Sequence, residues 1–409
     1  MPEAAIIGAG PAGLMAAEVL CEAGVEVSIY DAMPSFGRKF LMAGKSGLNI
    51  THTEDLAHFI QRYSESDPRL SAAVQAFGPT EIMAWMEGLG ITPYVGSTGR
   101  VFPTQMKASG LLRAWLLRLQ EQGARHYRQH RFLGWNKHAE LMFQTLEGTQ
   151  VRRPDATLLA LGGGSWKRLG SDGAWQNLFK ERGVETEAFA PRNCGFQVVW
   201  SDLMTQKWAG APVKNVELSV GDRTVRGEFV ITADGVESGA IYTLSAALMA
   251  EIENPGKATL TLDLHPDQSL ADLTKRLDRP QGKQSLSNHL RKAVGLQGVK
   301  RALLYEVTPQ AVLAGPAHVL AQHLKALPIP IKAAMPIDQA ISTAGGVAWS
   351  ALDSQFGVTQ LPGVFCAGEM IAWDAPTGGY LITACLATGR AAGKGLLAYL
   401  NQTVSPYRS

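Results

Sequence analysis

Little in this 409-residue sequence speaks for disulfides, metals or membranes. Its four cysteines, Cys21, Cys194, Cys366 and Cys385, are scattered without a CxxC pair or any ligand-like spacing. They read as small buried hydrophobes in a reducing compartment, not as a disulfide framework or a zinc site. No uninterrupted apolar run approaches the roughly 18 residues of a membrane-spanning helix. The apolar N-terminus has no basic flank, carries Glu3 and is already accounted for as a strand and a helix, so a cytoplasmic location is expected. An excess of one charge is missing too. The 38 Lys+Arg against 36 Asp+Glu leave a net charge of +2, which speaks against nucleic acid as a partner. His265, His289, His318 and His323 lack metal-site spacing. The last two are five apart, not the four that place two ligands on one helix face.

What is present is 46% hydrophobic residues and 43 glycines, the composition of an α/β protein with many tight turns. The length calls for two or three domains. The chain opens on four apolar residues, Ala4 to Ile7, running into Gly8-x-Gly10-x-x-Gly13 with Pro11 and Ala12 between the last two glycines. A small-residue helix from Leu14 to Ala23 follows, Gly24 ends it, and a second strand, Val25 to Tyr30, stops on Asp31 and Ala32. Gly8 permits the tight turn, Gly10 lets backbone approach a pyrophosphate, and Gly13 lets the helix pack on the sheet. The helix N-terminus favours phosphate through its unpaired N–H groups and its partial positive charge. Asp31, 18 positions beyond Gly13, stands close to the spacing of about 20 expected of an acid on ribose hydroxyls. The unit predicts a dinucleotide site with a free 2′-hydroxyl, and by itself leaves FAD and NAD open.

Arg38 and Lys39 stand close behind that acid, and the small-residue stretch from Gly44 to Asn49 can approach a planar ring. Lys45 is a candidate contact for an anionic substrate. Leu56 to Tyr63 and Ile82 to Leu89 have helical spacing, and Ser109 is the expected N-cap of a helix from Leu111 to Gln122. Arg125 to Leu133 and Glu140 to Leu146 read as antiparallel strands, the first returning beside the adenine with Phe132. Leu158 to Leu161 is a buried strand. With Ala160, it ends in Gly162-Gly163-Gly164-Ser165, a close-approach turn at which the chain re-enters the first cofactor site. No second GxGxxG with a helix follows.

From about Pro191 the pattern changes. Phe196–Trp200, Val216–Val220, Phe229–Thr232 and Lys257–His265 read as short strands, and residues 270–327 as helical with breaks at Pro280 and Pro309. The expected division is a first nucleotide-binding part at 1–190, an inserted β-rich domain at 191–344 with a helical subdomain at about 266–327, and a second part at 345–409. That last part holds an apolar strand ending in Ala367-Gly368-Glu369, then Pro376-Thr377-Gly378-Gly379-Tyr380 and a long small-residue helix from Leu381 to Leu400. A Gly-acid pair at a strand end suits a chain of hydroxyls. A glycine-started helix can aim its N-terminus at negative charge.

The N-terminal strand–glycine–acid unit and the C-terminal Gly368-Glu369 unit together resemble those of FAD enzymes of the glutathione-reductase-like superfamily. More narrowly, the chain resembles the BaiN-like (YhiN-like) NAD(P)/FAD-dependent oxidoreductases through Gly37-Arg38-Lys39, Gly44 to Thr51, Val101-Phe102-Pro103, Thr343 to Val347, Ala367-Gly368-Glu369 and Pro376 to Tyr380. It departs at Gly47-Leu48, where much of that family has Arg-Cys, so no role of those side chains carries over. The resemblance implies an α/β fold: a Rossmann-like FAD-binding domain interrupted by a β-barrel-like domain with a helical subdomain. Gly8, Gly10, Pro11, Ala12 and Gly13 would cradle the pyrophosphate. Asp31, with Ala32, would hold the adenosine ribose, and Arg38 and Lys39 would sit beside the ADP half. Gly44 and Asn49 would approach the flavin, and Gly368 and Glu369 would hold the ribityl chain. Thr377, Gly378, Gly379 and Tyr380 would stand at the pyrimidine end. The implied function is FAD-dependent transfer of hydride between flavin and a small organic substrate, with NAD(P)H as a transient co-substrate and electron donor. The alternatives are an oxygen-using amine oxidase, a flavin-dependent tRNA-modifying enzyme, and a non-catalytic redox sensor. Lys283, Arg291, Lys292, Lys300 and Arg301 form a loose basic cluster for the RNA reading, or a solvated face. No residue pair assigns a catalytic acid or base, and the oligomeric state is left open.

Overall fold

In the computed structural model, residues 1–45, 47–63, 67–253 and 258–403 are described. Ser46 of the expected ring-approaching loop and Lys257 of the expected strand lie outside them. Two units divide the chain: residues 1–190 with 342–409, and residues 191–341.

The first unit is built on a parallel sheet. Its strands are β1 (Glu3–Ile7), β2 (Glu26–Asp31), β3 (Arg125–Arg128), β4 (Ala156–Leu159) and β5 (Val364–Cys366), in the order β5-β4-β1-β2-β3. Every neighbouring pair is parallel, with Ala4 opposite Val27 on one side and Ala156 on the other. β1 and β4 are almost wholly apolar because both their faces are covered, and the sheet is Rossmann-like.

Helix α1 (Pro11–Glu22) has proline in its first turn, a fixed φ that suits a helix start, and Ala12 to Cys21 are all buried. It packs against α6 (Tyr380–Thr403), where a Cβ on Gly389 would lie 2.2 Å from the Ala12 carbonyl oxygen. Only glycine allows the two helices that close. Between the sheet strands lie α2 (Arg38–Ala43), α3 (Pro68–Ala76), α4 (Pro79–Gly88) and α5 (Ala108–Glu121). The carboxylate of Glu18, buried on α1, accepts from the indoles of Trp85 on α4 and Trp115 on α5 at 3.1 and 2.6 Å, and from Arg118 at 2.7 Å.

Several expectations are corrected here. Ser109 is not an N-cap: α5 begins at Ala108, and Lys107 occupies the cap position without a side-chain hydrogen bond. The expected strand from Arg125 to Leu133 is two strands, because Gln129 turns left-handed at φ 57. Its first half joins the parallel sheet beside β2, and Arg131–Trp135 instead pairs antiparallel with Leu141–Thr145. Gly148–Arg152 completes that three-stranded meander, a strand that short alternation did not signal. The strand expected over Phe196–Trp200 extends only over Phe196–Gln197.

The second unit holds a seven-stranded sheet. Its order is Leu327–Pro330, Thr259–Asp263, Pro212–Val220, Arg223–Ile231, Gly235–Glu237, Phe196–Gln197 and Ala333–Ala334, with antiparallel neighbours. Its core is set by alternation: Val216, Leu218, Leu260 and Leu262 are fully buried. Helices Leu270–Leu277 and Leu286–Val294 start on Ser269 and Ser285, whose hydroxyls accept from Asp272 and Asn288 N–H. Between sheet and helices, the Lys325 ammonium lies 2.5 Å from the buried Asp263 carboxylate and donates to the His265 and Gln268 carbonyls. Burial pushes the His265 imidazole down from 6.5 to about 4; Lys300, Lys325 and Arg276 act in the same direction and Asp263 against it. The unfolded chain therefore binds the extra proton first. The contribution is complete above the unfolded value and lost as pH falls from about 6.5 to about 4. Urea unfolding is expected to show stability declining across that window, with the slope reduced in His265→Gln. An unchanged slope in the variant would remove His265 as its source.

Candidate functional site

The glycine turn between β1 and α1 has no room for side chains on its inner face. Gly8 stands at φ +103, and a Cβ there would lie 2.2 Å from the Ala160 carbonyl oxygen; one on Gly13 would lie 1.9 Å from that of Gly8. Gly10 is different, with nothing within 4 Å of its would-be Cβ. That face is open, and α1 begins there with no side-chain cap, so its first N–H groups suit an anion. The Asp31 carboxylate closes the turn by accepting from Ala9 N–H and Met33 N–H, both at 2.8 Å. Burial raises its pKa, and those two N–H groups, Arg131 and Arg38 oppose the rise. Gly37 N–H donates to the Ala9 carbonyl at 3.0 Å, which docks the start of α2 onto the same turn. Arg38 follows, with its Nε buried and without a partner.

Lys39, the next residue, is not confined to that turn. Its ammonium lies 2.6 Å from Glu369 and 2.9 Å from the Ser165 hydroxyl. Glu369 is 6% exposed, and its other oxygen accepts from Thr343 N–H at 3.1 Å. A Cβ on Gly163 would meet the Thr343 hydroxyl at 1.9 Å and the Glu369 carboxyl carbon at 3.2 Å; one on Gly368 would meet the Ala12 Cβ at 2.7 Å. Thus Ala12, Lys39, Gly163, Gly368 and Glu369 converge from four separate stretches of chain. Gly162 stands beside them, and its carbonyl accepts from the Trp175 indole.

A third group gathers at the start of α6. A Cβ on Gly378 would touch the Tyr380 ring, and one on Gly379 would lie 2.6 Å from the Thr51 backbone. Thr377 precedes this turn. The Tyr380 hydroxyl donates to Glu54, which Arg62 also grips through two nitrogens at 3.3 and 2.9 Å. His52 stacks on Tyr380 at 6.1 Å, and the Tyr63 hydroxyl donates to the Tyr380 carbonyl at 2.6 Å. Burial and Glu54 push the Tyr380 phenol up to about 12. Burial raises the Glu54 carboxyl, but the Arg62 and Tyr380 hydrogen bonds outweigh it and hold the carboxyl below its usual range. Tyr380 is thereby a fixed donor and Glu54 a fixed anion. Before this turn, Gly44 packs on Ala108 and Asn49 presents a buried amide oxygen without a partner. Replacing Gly379 by alanine forces a Cβ into the Thr51 backbone at φ +95. The expected result is a loss of about 1–3 kcal/mol, read by thermal unfolding; an unperturbed Tm would show that the turn relaxes freely.

Ala32 follows Asp31 directly, and Phe132 lies on the strand Arg131–Trp135. His130 N–H donates to the Asp31 carbonyl, and Phe132 contacts Phe143, on which Tyr30 stacks at 4.4 Å. Lys45 is exposed, with its carbonyl accepting from Lys107 at 2.7 Å. Glu54, Arg62, Ser165 and Thr343 were not singled out as site residues by sequence. Thr343 belonged to a motif that carried the resemblance, Ser165 closed the glycine turn read as re-entering the cofactor site, and Glu54 and Arg62 had no signal. Among the described residues no group of three His, Cys, Asp or Glu could hold a metal, all four cysteines are buried and unpaired, and no helix is long and apolar enough to cross a membrane.

Known proteins share parts of this architecture. A 3-ketosteroid-delta4-(5alpha)-dehydrogenase from Rhodococcus jostii has a similar fold, with TM-score 0.53 at 14% identity over 97% of each chain. A flavocytochrome c3 fumarate reductase gives 0.52 at 16% identity, covering 98% of this chain and 78% of that one. At those identities the likeness concerns fold alone. A ribosomal RNA dihydrouridine synthase from Haemophilus influenzae is 32% identical over 98 residues, a match that spans 24% of this chain and 24% of that protein. One family description, the HI0933-like protein Rossmann domain, matches residues 2–395. Because that match takes in both segments of the parallel-sheet unit and everything between them, the chain belongs to the HI0933-like Rossmann-domain family.

Proposed function

We propose that this chain is an FAD-dependent oxidoreductase of the BaiN-like family, on a separate branch marked by Gly47-Leu48, acting on a small organic substrate with NAD(P)H as electron donor. The observation that carries the reading is the meeting of two half-motifs far apart in sequence, with Lys39 and Ala12 of the first against Glu369 and Gly368 of the second. The residues present suit FAD. Gly10 and the uncapped start of α1 form a cradle open to a pyrophosphate, and Arg38 offers an unpartnered buried donor. Asn49 offers an unpartnered buried acceptor, a fit for an N–H of a heterocycle. Asp31 would orient the adenosine ribose, with Ala32, Phe132, Ala160 and Gly162 near the same half. Gly368, Glu369 and Gly163 would hold the ribityl chain, and Gly44, Thr377, Gly378, Gly379 and Tyr380 would line the ring. Bound FAD supplies two-electron hydride chemistry, and the protein supplies orientation and electrostatics. Tyr380, kept protonated, and Glu54, kept ionised by Arg62, would fix the polarity of the wall beside it.

The test is an FAD titration of purified protein, followed by anaerobic reduction with NADH and NADPH. Tight FAD binding and bleaching by one of the two are expected. A colourless protein that cannot be loaded with FAD sinks the reading, and rapid reduction by amines alone replaces it with an amine oxidase. A second reading, a flavin-dependent RNA-modifying enzyme, draws support from the match to the ribosomal RNA dihydrouridine synthase. The net charge of +2 weighs against it. Steeply salt-dependent binding to ribosomal RNA would favour it.

A further inference from the structure

A cleft of about 230 Å³ opens between α3, α6 and the segment at Ser354–Phe356. It lies well along α6 from Tyr380: Arg390 is ten residues on, about 15 Å at the helical rise. Its floor is apolar, from Ala73 and Phe77 at the end of α3, Phe356, and Ala387 on α6. Three cations border it, and their states differ.

Arg69 is committed. It grips Asp67 through two nitrogens and donates to the carbonyls of Trp349, Leu352 and Asp353. Arg390 and Lys394 are one turn apart on the same face of α6, a spacing at which like charges repel. Among the described residues neither has an ion pair. Asp353, whose charge acts on Arg69, spends one carboxylate oxygen on Gln355 and Gly357 N–H at 2.8 Å each. Arg390 lies over the Phe77 ring at 5.0 Å, a contact that favours one placement of its guanidinium. An arginine so placed keeps in-plane N–H donors matched to two oxygens of one anion.

We propose that this cleft binds a small amphipathic anion: a flat apolar body seated on Phe356 and the alanines, beside the Phe77 ring that Arg390 covers, with a carboxylate or phosphate between Arg390 and Lys394. The apolar floor favours the body through burial. The two uncompensated cations select the sign of its head. The site is separate from the candidate cofactor cradle and does not depend on the function proposed for it.

The experiment is calorimetric titration of the full chain with phenyl phosphate, benzoate, inorganic phosphate and neutral benzyl alcohol, at low and high salt. Single-site binding of phenyl phosphate or benzoate is expected, weakened by salt. Inorganic phosphate and benzyl alcohol should each bind about tenfold more weakly or worse, since each has one half of the required chemistry. Arg390→Gln with Lys394→Gln should lower the affinity by about tenfold or more while FAD loading is unchanged. Lys394→Gln alone, at an exposed position, gives a smaller loss with no risk to folding. The proposal is overturned if neither aromatic anion binds saturably, if the double variant binds them as well as the parent does, or if inorganic phosphate binds as tightly as phenyl phosphate.

Discussion

Replacing Glu18 by alanine is expected to lower the free energy of unfolding by about 2–4 kcal/mol, because the charge of Arg118, itself about a quarter exposed, and the indole N–H groups of buried Trp115 and half-buried Trp85 lose their shared acceptor at once. The carboxylate is 3% exposed and lies between three elements: α1, which carries it, α4 with Trp85 and α5 with Trp115 and Arg118. Trp85 and Trp115 meet edge to face at 4.7 Å, so no neighbouring group can turn in to replace it without repacking both rings. Glu18→Gln retains an acceptor but loses the charge; its cost should be about 1–3 kcal/mol. Urea unfolding followed by far-UV circular dichroism measures both. A loss below about 1 kcal/mol in Glu18→Ala would show that water reaches the indoles and that the network carries little stability.

The second large effect is at Lys39. Lys39→Met leaves Glu369 buried with Thr343 N–H as its remaining partner. Breaking a buried pair costs about 3–5 kcal/mol. Lys39 is about a quarter exposed, so the expected loss is nearer 2–3 kcal/mol after allowance for solvent screening. The double change Lys39→Met with Glu369→Gln removes the stranded charge and should recover part of that loss, an interaction energy read from a double-mutant cycle. If the two single losses simply add, the pair is not coupled and the bridge between the half-motifs is incidental. The same variants test the proposed function independently, since FAD affinity can fall even where the glutamine restores stability.

The first thirty-one residues were legible because everything that makes them fold is local. Apolar strand, glycine turn, proline-started helix and terminal acid act over one or two turns of chain, and glycine's access to positive φ at Gly8 is a property of that residue. The α6 helix and the Gly368-Glu369 turn were legible for the same reason. Boundaries were less so: nothing at Arg125–Leu133 announced that Gln129 would turn left-handed and send half of the segment into the parallel sheet. The helix at Ala108 begins one residue before its supposed cap, with Ala108 buried against Gly44, a partner far away in sequence.

By itself, then, the sequence determined the Rossmann-like sheet, its glycine turn and the separate chemistry of residues near each end. Only the tertiary structure decided which side chains share a charge. Lys39 stands one residue from Arg38 yet reaches an acid 330 positions away, and Glu18, Glu54 and Arg390 likewise take their significance from partners on other elements. Periodicity and turn chemistry follow from neighbours along the chain. The pairing of buried charges follows from which surfaces the packed helices bring within a few ångströms, and that is settled only when the whole core closes.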